Sequence, residues 1–231
     1  MAVKPSSERS KQPRRKKAPL QSKHELRSDA PLSLDRIVAT AVELLDAEGI
    51  EGLTMRRLAA RLEAGAMSLY WHVGNKEEVF DLALDQVLEY RRPLQNSAPE
   101  DWRKELVHML EDWRASMLRH PWSASLLPRR ALGPNILGRL ELLSETLSRA
   151  GVADEDLNVA IWSLWNFVIG ATITRANFDR SDEDRAAAQQ RLTHLAESYP
   201  TIGRSRLLLD SDWDGTFRKG LDVLLDGLST R

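Results

Sequence analysis

The sequence predicts an all-α protein, and three observations support this fold class. Apolar residues recur at intervals of three and four along most of the chain, as they do on one face of a helix. Alternating runs rich in β-branched residues are missing, and no Asn-Gly or Asp-Gly dipeptide joins two such runs into a hairpin. Prolines interrupt helices, and three long blocks contain none, at 32–92, 135–199 and 201–231. We therefore expect several helices in the chain and no sheet.

The first block begins with two predicted helices. Ser33 is expected to cap the first, because serine side chains accept hydrogen bonds from the free N–H groups at a helix start. Gly49 and Gly52 bracket its end. Thr54 is a suitable cap for a second, short helix that ends near Leu62. Together they form the start of a small helical unit.

Two more helices complete this unit. A third, short helix is predicted from about Ala66 to Trp71. Asn75 caps a fourth that covers residues 76–92 and is ended by Pro93. Since this fourth helix leads into the rest of the chain, it is the expected lever between the two halves.

The remainder of the chain predicts a second, larger helical unit. Helices are expected to begin near Pro99, Pro121 and Pro134, because proline suits the first turn. Further helices are expected at 154–178, 182–198 and 210–228. The helix at 154–178 is apolar on nearly every side, so we expect it to be covered on every side.

Composition excludes several classes of protein. The 231 residues contain no cysteine, which excludes a disulfide scaffold, a zinc-thiolate site and a cysteine nucleophile. The mean hydropathy is −0.41, and we expect no membrane-spanning helix. The first thirty residues contain no apolar stretch typical of a secretory signal. A soluble, cytoplasmic protein is the expectation.

Charge is distributed unevenly along the chain. Residues 1–30 carry nine Lys or Arg against three acids, whereas the remaining residues carry a net charge of −7. We interpret residues 1–31 as a basic arm, which indicates that this end meets a polyanion. The alternative is a solvated tail that only keeps the chain soluble.

Residues 53–72 have the pattern of a helix-turn-helix. A short helix with arginines on its outer side is followed by the turn Glu63–Gly65 and at once by another short helix. The second helix of such a motif lies in the major groove of DNA, and its first residues face the bases. Here these residues are Ala66, Met67 and Ser68. The first two can contact a thymine methyl group, and the serine can donate or accept a hydrogen bond.

The stretch from Ile37 to Leu84 resembles the DNA-binding domain of the tetracycline-repressor (TetR) family. The residues that carry the resemblance are Ala41–Thr54 (AVELLDAEGIEGLT), Arg56–Ala59 (RRLA) and Leu69–Lys76 (LYWHVGNK). The Tyr-Trp-His form of the last run looks like the branch of the tetracycline repressor itself. The resemblance implies a DNA-binding domain at 32–78 and an effector-binding and dimerisation domain at 79–231.

The resemblance also implies which residues approach DNA. They are Arg56, Ala66, Met67, Ser68, Tyr70, Trp71, His72 and Lys76. Tyr70 and His72 can reach phosphates from the end of the short helix, and Lys76 lies in the first turn of the next one. For Trp71 the alternative is a core anchor, since an aromatic residue can hold so short a helix in place. For His72 the alternative is that it only ends the helix.

Glu63 departs from the family pattern, which usually has glycine in this turn. The residue therefore either adopts a left-handed backbone conformation or the turn is built differently. With apolar residues at the start of the recognition helix, the operator sequence cannot be derived from hydrogen-bond pairing.

The second unit is expected to form a homodimer. Two recognition helices can read a pseudo-palindrome only if a dimer holds them about one turn of DNA apart, roughly 34–36 Å. The helices at 154–178 and 210–228 have apolar faces that one small bundle cannot cover, so we expect them to form a four-helix interface. The alternative is that both belong to the core of a monomer.

An effector cavity is predicted between the helices of the second unit. Its candidate residues are His108, Met109, Trp113, Met117, Trp162, Trp165, Asn166 and Ile169. The alternative is that this aromatic stripe is simply core. A small, largely apolar effector is expected, with no metal and no cofactor. Arg91 and Arg92 stand where the family would place the histidine of a magnesium–tetracycline site.

The sequence thus predicts a sequence-specific transcriptional regulator, a repressor released from its pseudo-palindromic operator by the effector. An enzyme is not expected, because the five histidines show no metal-ligand spacing and nucleophile or nucleotide-binding motifs are missing. The alternative is a helical adaptor that has lost specific DNA binding. An activator also stays open, since the sign of regulation depends on operator position.

Overall fold

The computed structural model describes Met1 and residues 31–90, 101–177, 182–195, 198–201 and 212–229, and no strand occurs among them. The all-α class is confirmed. The helices of these ranges are α1 (Leu34–Gly52), α2 (Met55–Arg61), α3 (Ala66–Tyr70), α4 (Lys76–Val87), α5 (Trp102–Arg119), α6 (Pro121–Leu126), α7 (Pro134–Arg149), α8 (Leu157–Asn177), α9 (Asp182–Leu195) and α10 (Trp213–Ser229). Apart from Met1 and Pro31, the basic arm lies outside the described residues.

Predicted helix starts are confirmed in both units. The side chains of Ser33, Thr54 and Asn75 each accept a hydrogen bond from the backbone N–H three residues further on, at 3.3, 3.2 and 2.9 Å. Pro121 and Pro134 occupy the first positions of α6 and α7. In each case the residue satisfies or removes an N–H group that has no partner inside the helix.

The predicted end of α1 between Gly49 and Gly52 is confirmed, whereas the predicted end of α4 is corrected. Gly49 has a left-handed φ of 70°, so the regular part of α1 stops there and a short helical turn continues to Gly52. α4 ends at Val87 and not near Arg92, because Leu88 leaves the helical conformation. Residues 91–100 lie outside the described ranges.

The helices of the two predicted units share one continuous apolar core. α1 packs on α2 and α4, and α3 packs on α2. In the second unit α8 packs against α5, α6, α7 and α10. α1 and α4 also contact α6, and α4 contacts α7, so the two units meet through these elements.

The long apolar helix α8 is covered on one side only within the described residues. Its segment Leu157–Ala176 is long and apolar enough to cross a membrane by length and composition, with a mean hydropathy of 1.4. Core helices of soluble proteins have the same properties, so this segment does not contradict the expectation of no membrane-spanning helix. Ala160, Leu164 and Val168 nevertheless lie buried among the neighbouring helices, as core residues do. One side of α8 is thus uncovered within the described residues of one chain, and its cover by a second chain stays a prediction.

The turn between α2 and α3 contains a left-handed residue that is not glycine. Glu63 has a φ of 52°. Its N–H donates to the carbonyl oxygen of Ala60 at 3.2 Å, and the N–H of Ala64 donates to that of Ala59 at 3.0 Å. This pair of bonds is a Schellman motif, in which glycine is the usual left-handed residue. The first of the two alternatives for Glu63 is thus confirmed.

We expect Glu63→Gly to raise the free energy of unfolding by about 0.5–1 kcal/mol. A left-handed conformation costs a residue with a Cβ about 1–2 kcal/mol, and the greater chain entropy of unfolded glycine offsets part of this gain. Thermal denaturation measures the change. Glu63→Ala is the matched control, because it removes the charge and keeps the Cβ. An equal gain in both variants would contradict backbone strain as the cause.

Candidate DNA-binding surface and effector half

The recognition helix α3 is anchored by two buried residues and presents its other side to solvent. Leu69 and Val73 are buried. Residues of a helix are separated by about 100°, so Trp71 faces away from Leu69. It is 86% exposed, and Met67 is 74% exposed. The interpretation of Trp71 as a core anchor is therefore wrong, since Leu69 and Val73 perform that role.

All eight predicted DNA-contacting residues lie between the start of α2 and the first turn of α4. Seven are exposed, namely Arg56, Ala66, Met67, Ser68, Tyr70, Trp71 and His72. Lys76 is half-buried, with its ammonium 5.0 Å from the ring centre of Phe80. The second basic residue of α2, Arg57, forms an ion pair with Glu48 and thereby fixes α2 to α1.

The segment between α3 and α4 is held by a compact hydrogen-bond arrangement. Asn75 caps α4, and the Glu78 carboxylate accepts the N–H of Gly74 at 2.7 Å. Carboxylates in a first helical turn also suit the positive end of the helix dipole. The orientation of α3 is therefore tied closely to that of α4.

Arg130, just before α7, binds the first half of α4. Its Nε donates to Asp81 Oδ1 at 2.6 Å, and its guanidinium also pairs with the Glu77 carboxylate. The hydrogen bond to Asp81 raises the pKa of Arg130, and burial opposes this shift. A charge-assisted pair of this kind is directional, so it fixes the position of α4 as well as its distance from the second unit.

A buried carboxylate joins the second half of α4 to the start of α7. Asp85 is only 7% exposed. Its oxygens accept the backbone N–H groups of Asn135 at 3.0 and 3.2 Å and of Ile136 at 3.1 Å. The N–H groups at a helix start have no partner within the helix, and a negative charge there is favourable. Asp85 of one helix thus caps the other.

A buried arginine makes the opposite connection, from α7 to the end of α4. The side chain of Arg139 is fully buried and donates to the carbonyl oxygens of Leu88 at 3.1 Å and Glu89 at 3.3 Å. It also binds Asp112 at 3.0 Å. Burial lowers the pKa of Arg139, and the hydrogen bond to Asp112 opposes this effect. With these partners the arginine stays charged.

Asp85, Arg130 and Arg139 are not among the residues predicted from the sequence. A signal was present for Asp85, because it is the one acid between Ala83 and Leu88 on an otherwise apolar face of α4. Buried acids need partners, which marks such a position as a contact. No pattern in the sequence distinguishes Arg130 and Arg139 from the exposed arginines of the chain.

A second connection links α1 to the junction of α5 and α6. The Asp46 carboxylate lies 2.9 and 3.0 Å from His120 Nδ1 and accepts the indole N–H of Trp122 at 2.7 Å. A cleft of about 500 Å³ opens beside it, with Ile50 and Pro121 among its lining residues. The DNA-binding helices are therefore joined to the second unit through both α1 and α4.

The predicted effector residues divide into two groups. Met109, Trp113, Met117, Trp165 and Ile169 are buried, and the rings of Trp113 and Trp165 meet edge-on at 5.0 Å between centres. His108, Trp162 and Asn166 are exposed. The structure therefore corrects the prediction that these eight residues face one interior, because the two polar candidates, His108 of α5 and Asn166 of α8, point outward.

Neither of two cavities in the described ranges is lined by the buried group. One is the cleft beside Asp46, and the other is a small cavity of about 70 Å³ near Val152, Val159 and Leu228. The indole N–H of Trp113 is buried and meets no acceptor among the described residues. A buried donor without a partner is unfavourable, so it marks a place where a ligand acceptor could bind.

One face of α8 and one face of α10 are open to solvent. On α8 the exposed residues recur with helical spacing, namely Val159, Trp162, Ser163, Asn166, Gly170 and Thr174. On α10 Val223 is 72% exposed, next to the exposed Gly227. Exposed apolar residues aligned along a helix are typical of protein interfaces.

Comparisons with known proteins agree with this architecture. Residues 37–83 match the family described as bacterial regulatory proteins, tetR family, and residues 94–231 match the tetracyclin repressor-like, C-terminal domain. The chain is 39% identical over 202 residues to an HTH-type transcriptional regulator of Saccharopolyspora erythraea, which covers 86% of this chain and 85% of the relative.

Two further similarities have more specific names. The HTH-type transcriptional repressor DrrR1 of Streptomyces coeruleorubidus is 41% identical over 213 residues, 85% of this chain and 77% of the relative. The crystal structure of the Streptomyces coelicolor protein ActR in complex with (S)-DNPA superposes with a TM-score of 0.75 at 34% identity, covering 87% of this chain and 98% of that chain. Both halves of the sequence thus match, and the chain belongs to the TetR family of bacterial transcriptional regulators.

Proposed function

We propose that this DNA-binding regulator represses transcription from a pseudo-palindromic operator, with α3 in the major groove and the Tyr-Trp-His run at the DNA surface. The observation that carries the proposal is the exposure of Met67 and Trp71. Large apolar side chains clustered on a surface indicate a binding partner. The exposed Arg56 of α2 supplies positive charge in the same helix-turn-helix, which suits a nucleic acid.

Some of the eight residues would contact bases, and the others would contact the DNA backbone. Ala66 and Met67 would contact thymine methyl groups, and Ser68 would hydrogen-bond a base edge. The others would bind phosphates, namely Arg56, Tyr70, His72 and Lys76, with Trp71 packing against the DNA backbone. Contacts of the second kind fix the register of the protein without reading sequence.

The second half is proposed to bind a small, largely apolar effector within the core formed by α5 and α8. The structure of the similar protein ActR in complex with (S)-DNPA supports a small-molecule effector. The buried group at Met109, Trp113 and Trp165 would form its wall, and the free indole N–H of Trp113 would bind an acceptor of the effector. Release follows only if the effector prefers a conformation with the wrong half-site spacing.

The proposed dimer forms through the open faces of α8 and α10. Two helices from each chain would make a four-helix interface that covers Trp162 and Val223. We also propose that the protein acts in the cytoplasm, where the chromosome of a bacterium lies, and that it has no enzymatic activity.

Replacing a phosphate-binding arginine tests the DNA surface. We expect Arg56→Met to weaken binding to all duplexes and to lower the slope of log affinity against log salt by about 1, since about one counterion fewer is released per lost phosphate contact. Fluorescence anisotropy with a selected operator measures both quantities. Lys104→Met is the matched control, because Lys104 is an exposed base of α5, in the other half.

A selection from random duplexes provides the operator for this experiment. It also distinguishes the proposed regulator from the alternative function. Enrichment of a pseudo-palindrome is expected for a dimeric regulator. No enrichment at low salt, together with an unchanged salt slope in Arg56→Met, would favour a helical adaptor that has lost specific DNA binding.

A charge placed on the open face of α8 tests the dimer. We expect Trp162→Glu to raise the dimer dissociation constant by about 100-fold or more, because burial of an unpaired carboxylate costs several kcal/mol. Analytical ultracentrifugation measures it, and circular dichroism checks that the helices remain. Leu137→Glu, on the half-exposed side of α7, is the matched control. Equal effects in both variants would contradict the proposed interface.

A further inference from the structure

The contacts between α4 and α7 are reciprocal. Asp85 of α4 binds the N-terminus of α7, and Arg139 of α7 binds the carbonyl groups at the C-terminus of α4. Each charge lies at the helix end whose dipole attracts it. The two helices are therefore joined at both ends of their contact by bonds of defined direction.

The fit at the Asp85 end is tight. Gly133 precedes α7, and a Cβ built on it would collide with the Asp85 carboxylate. Its φ is −76°, so no special backbone conformation calls for glycine here. The residue is needed because the carboxylate approaches the backbone so closely. Even a single added methyl group would displace Asp85 from the start of α7.

The geometry of α4 makes its direction important for DNA. The helix has 12 residues and is roughly 18 Å long at 1.5 Å per residue. A tilt of about 10° moves its far end by roughly 3 Å, close to the rise of one base pair. Since α3 is tied to the start of α4, such a tilt would change the distance between the two recognition helices of a dimer.

Apolar contacts are non-directional, so the packing of α4 against its neighbours does not by itself select one tilt of this size. Charged contacts at helix ends hold only one arrangement, and buried charges cannot lose their partners without a large penalty. We propose that Asp85 and Arg139 are positioning residues that set the half-site spacing of the operator by fixing α4 on α7. This inference rests on the proposed function of a dimer that binds a pseudo-palindrome.

Operators with altered spacing test the inference directly. The half-sites of the selected operator are moved one or two base pairs closer together or further apart, and the affinity of each duplex is measured. We expect the wild type to lose about tenfold or more on such a change, because each half-site then meets a wrongly placed helix. In Asp85→Asn and Gly133→Ala we expect the loss to fall to about threefold or less.

The spacing ratio is the affinity for the selected operator divided by the affinity for an operator with altered spacing. This ratio distinguishes a positioning role from simple destabilisation. A variant that is only less stable would bind every duplex more weakly by the same factor, so its spacing ratio would not change. Arg149→Met is the matched control, because Arg149 also lies on α7 and pairs with Glu105 of α5. It is expected to keep the wild-type ratio, and Arg139→Lys, which retains the charge, is expected to lie between the wild type and Asp85→Asn.

A distance measurement without DNA provides an independent readout. The chain has no cysteine, so Ala60→Cys on the exposed side of α2 can carry a single spin label in each chain. Pulsed electron paramagnetic resonance of the dimer should give a narrow distance distribution in the wild-type background and a broader one with Asp85→Asn or Gly133→Ala. The Arg149→Met background should stay narrow.

Two outcomes would overturn the inference. If the folded variants keep both the wild-type spacing ratio and the narrow distribution, Asp85 and Arg139 do not position α4. If the wild type itself binds no duplex or shows no spacing preference, the proposed function fails, and the inference fails with it.

Discussion

Two buried charges must each find partners, and this requirement determines how the halves of the molecule are joined. Asp85 and Arg139 lie in the interface of α4 and α7, where water cannot solvate them. Asp85 accepts the N–H groups at the start of α7, and Arg139 donates to carbonyl oxygens at the end of α4 and to the Asp112 carboxylate of α5. Removal of either partner would leave an uncompensated buried charge, which typically costs about 3–5 kcal/mol. The position of α4, and through it that of α3, depends on this exchange.

The recognition helix illustrates the same dependence on neighbours. With five residues, α3 is too short to form alone, since helix nucleation is unfavourable. It exists because Leu69 and Val73 enter the core and because the turns on either side are hydrogen-bonded. One of these turns holds Glu63 in a strained conformation, and backbone strain often accompanies functional segments. The exposed side of α3 is thus free to serve DNA recognition.

The second half combines core and interface in the same helices. α8 buries Leu164 and Val168 against its neighbours while Trp162 stays exposed. Trp162, Trp165 and Trp113 form a chain of edge-on rings from the surface into the core, with centres 5.7 and 5.0 Å apart. The arrangement connects the proposed dimer face with the proposed effector site.

Local features of this protein are predictable from the residues close to them in the chain. Periodicity, caps at Ser33, Thr54 and Asn75, and proline positions predicted the fold class and the helix starts, because they act within a few residues of the chain. The motif at Leu69–Lys76 indicated the TetR family, and it also predicted the DNA-binding surface, which stays a proposal. Features that depend on residues distant in sequence are seen only in the tertiary structure. Packing between helices far apart in sequence determines three such features. It exposes Trp71 on α3, it buries some of the predicted effector residues and not others, and it provides the partners of Asp85 and Arg139.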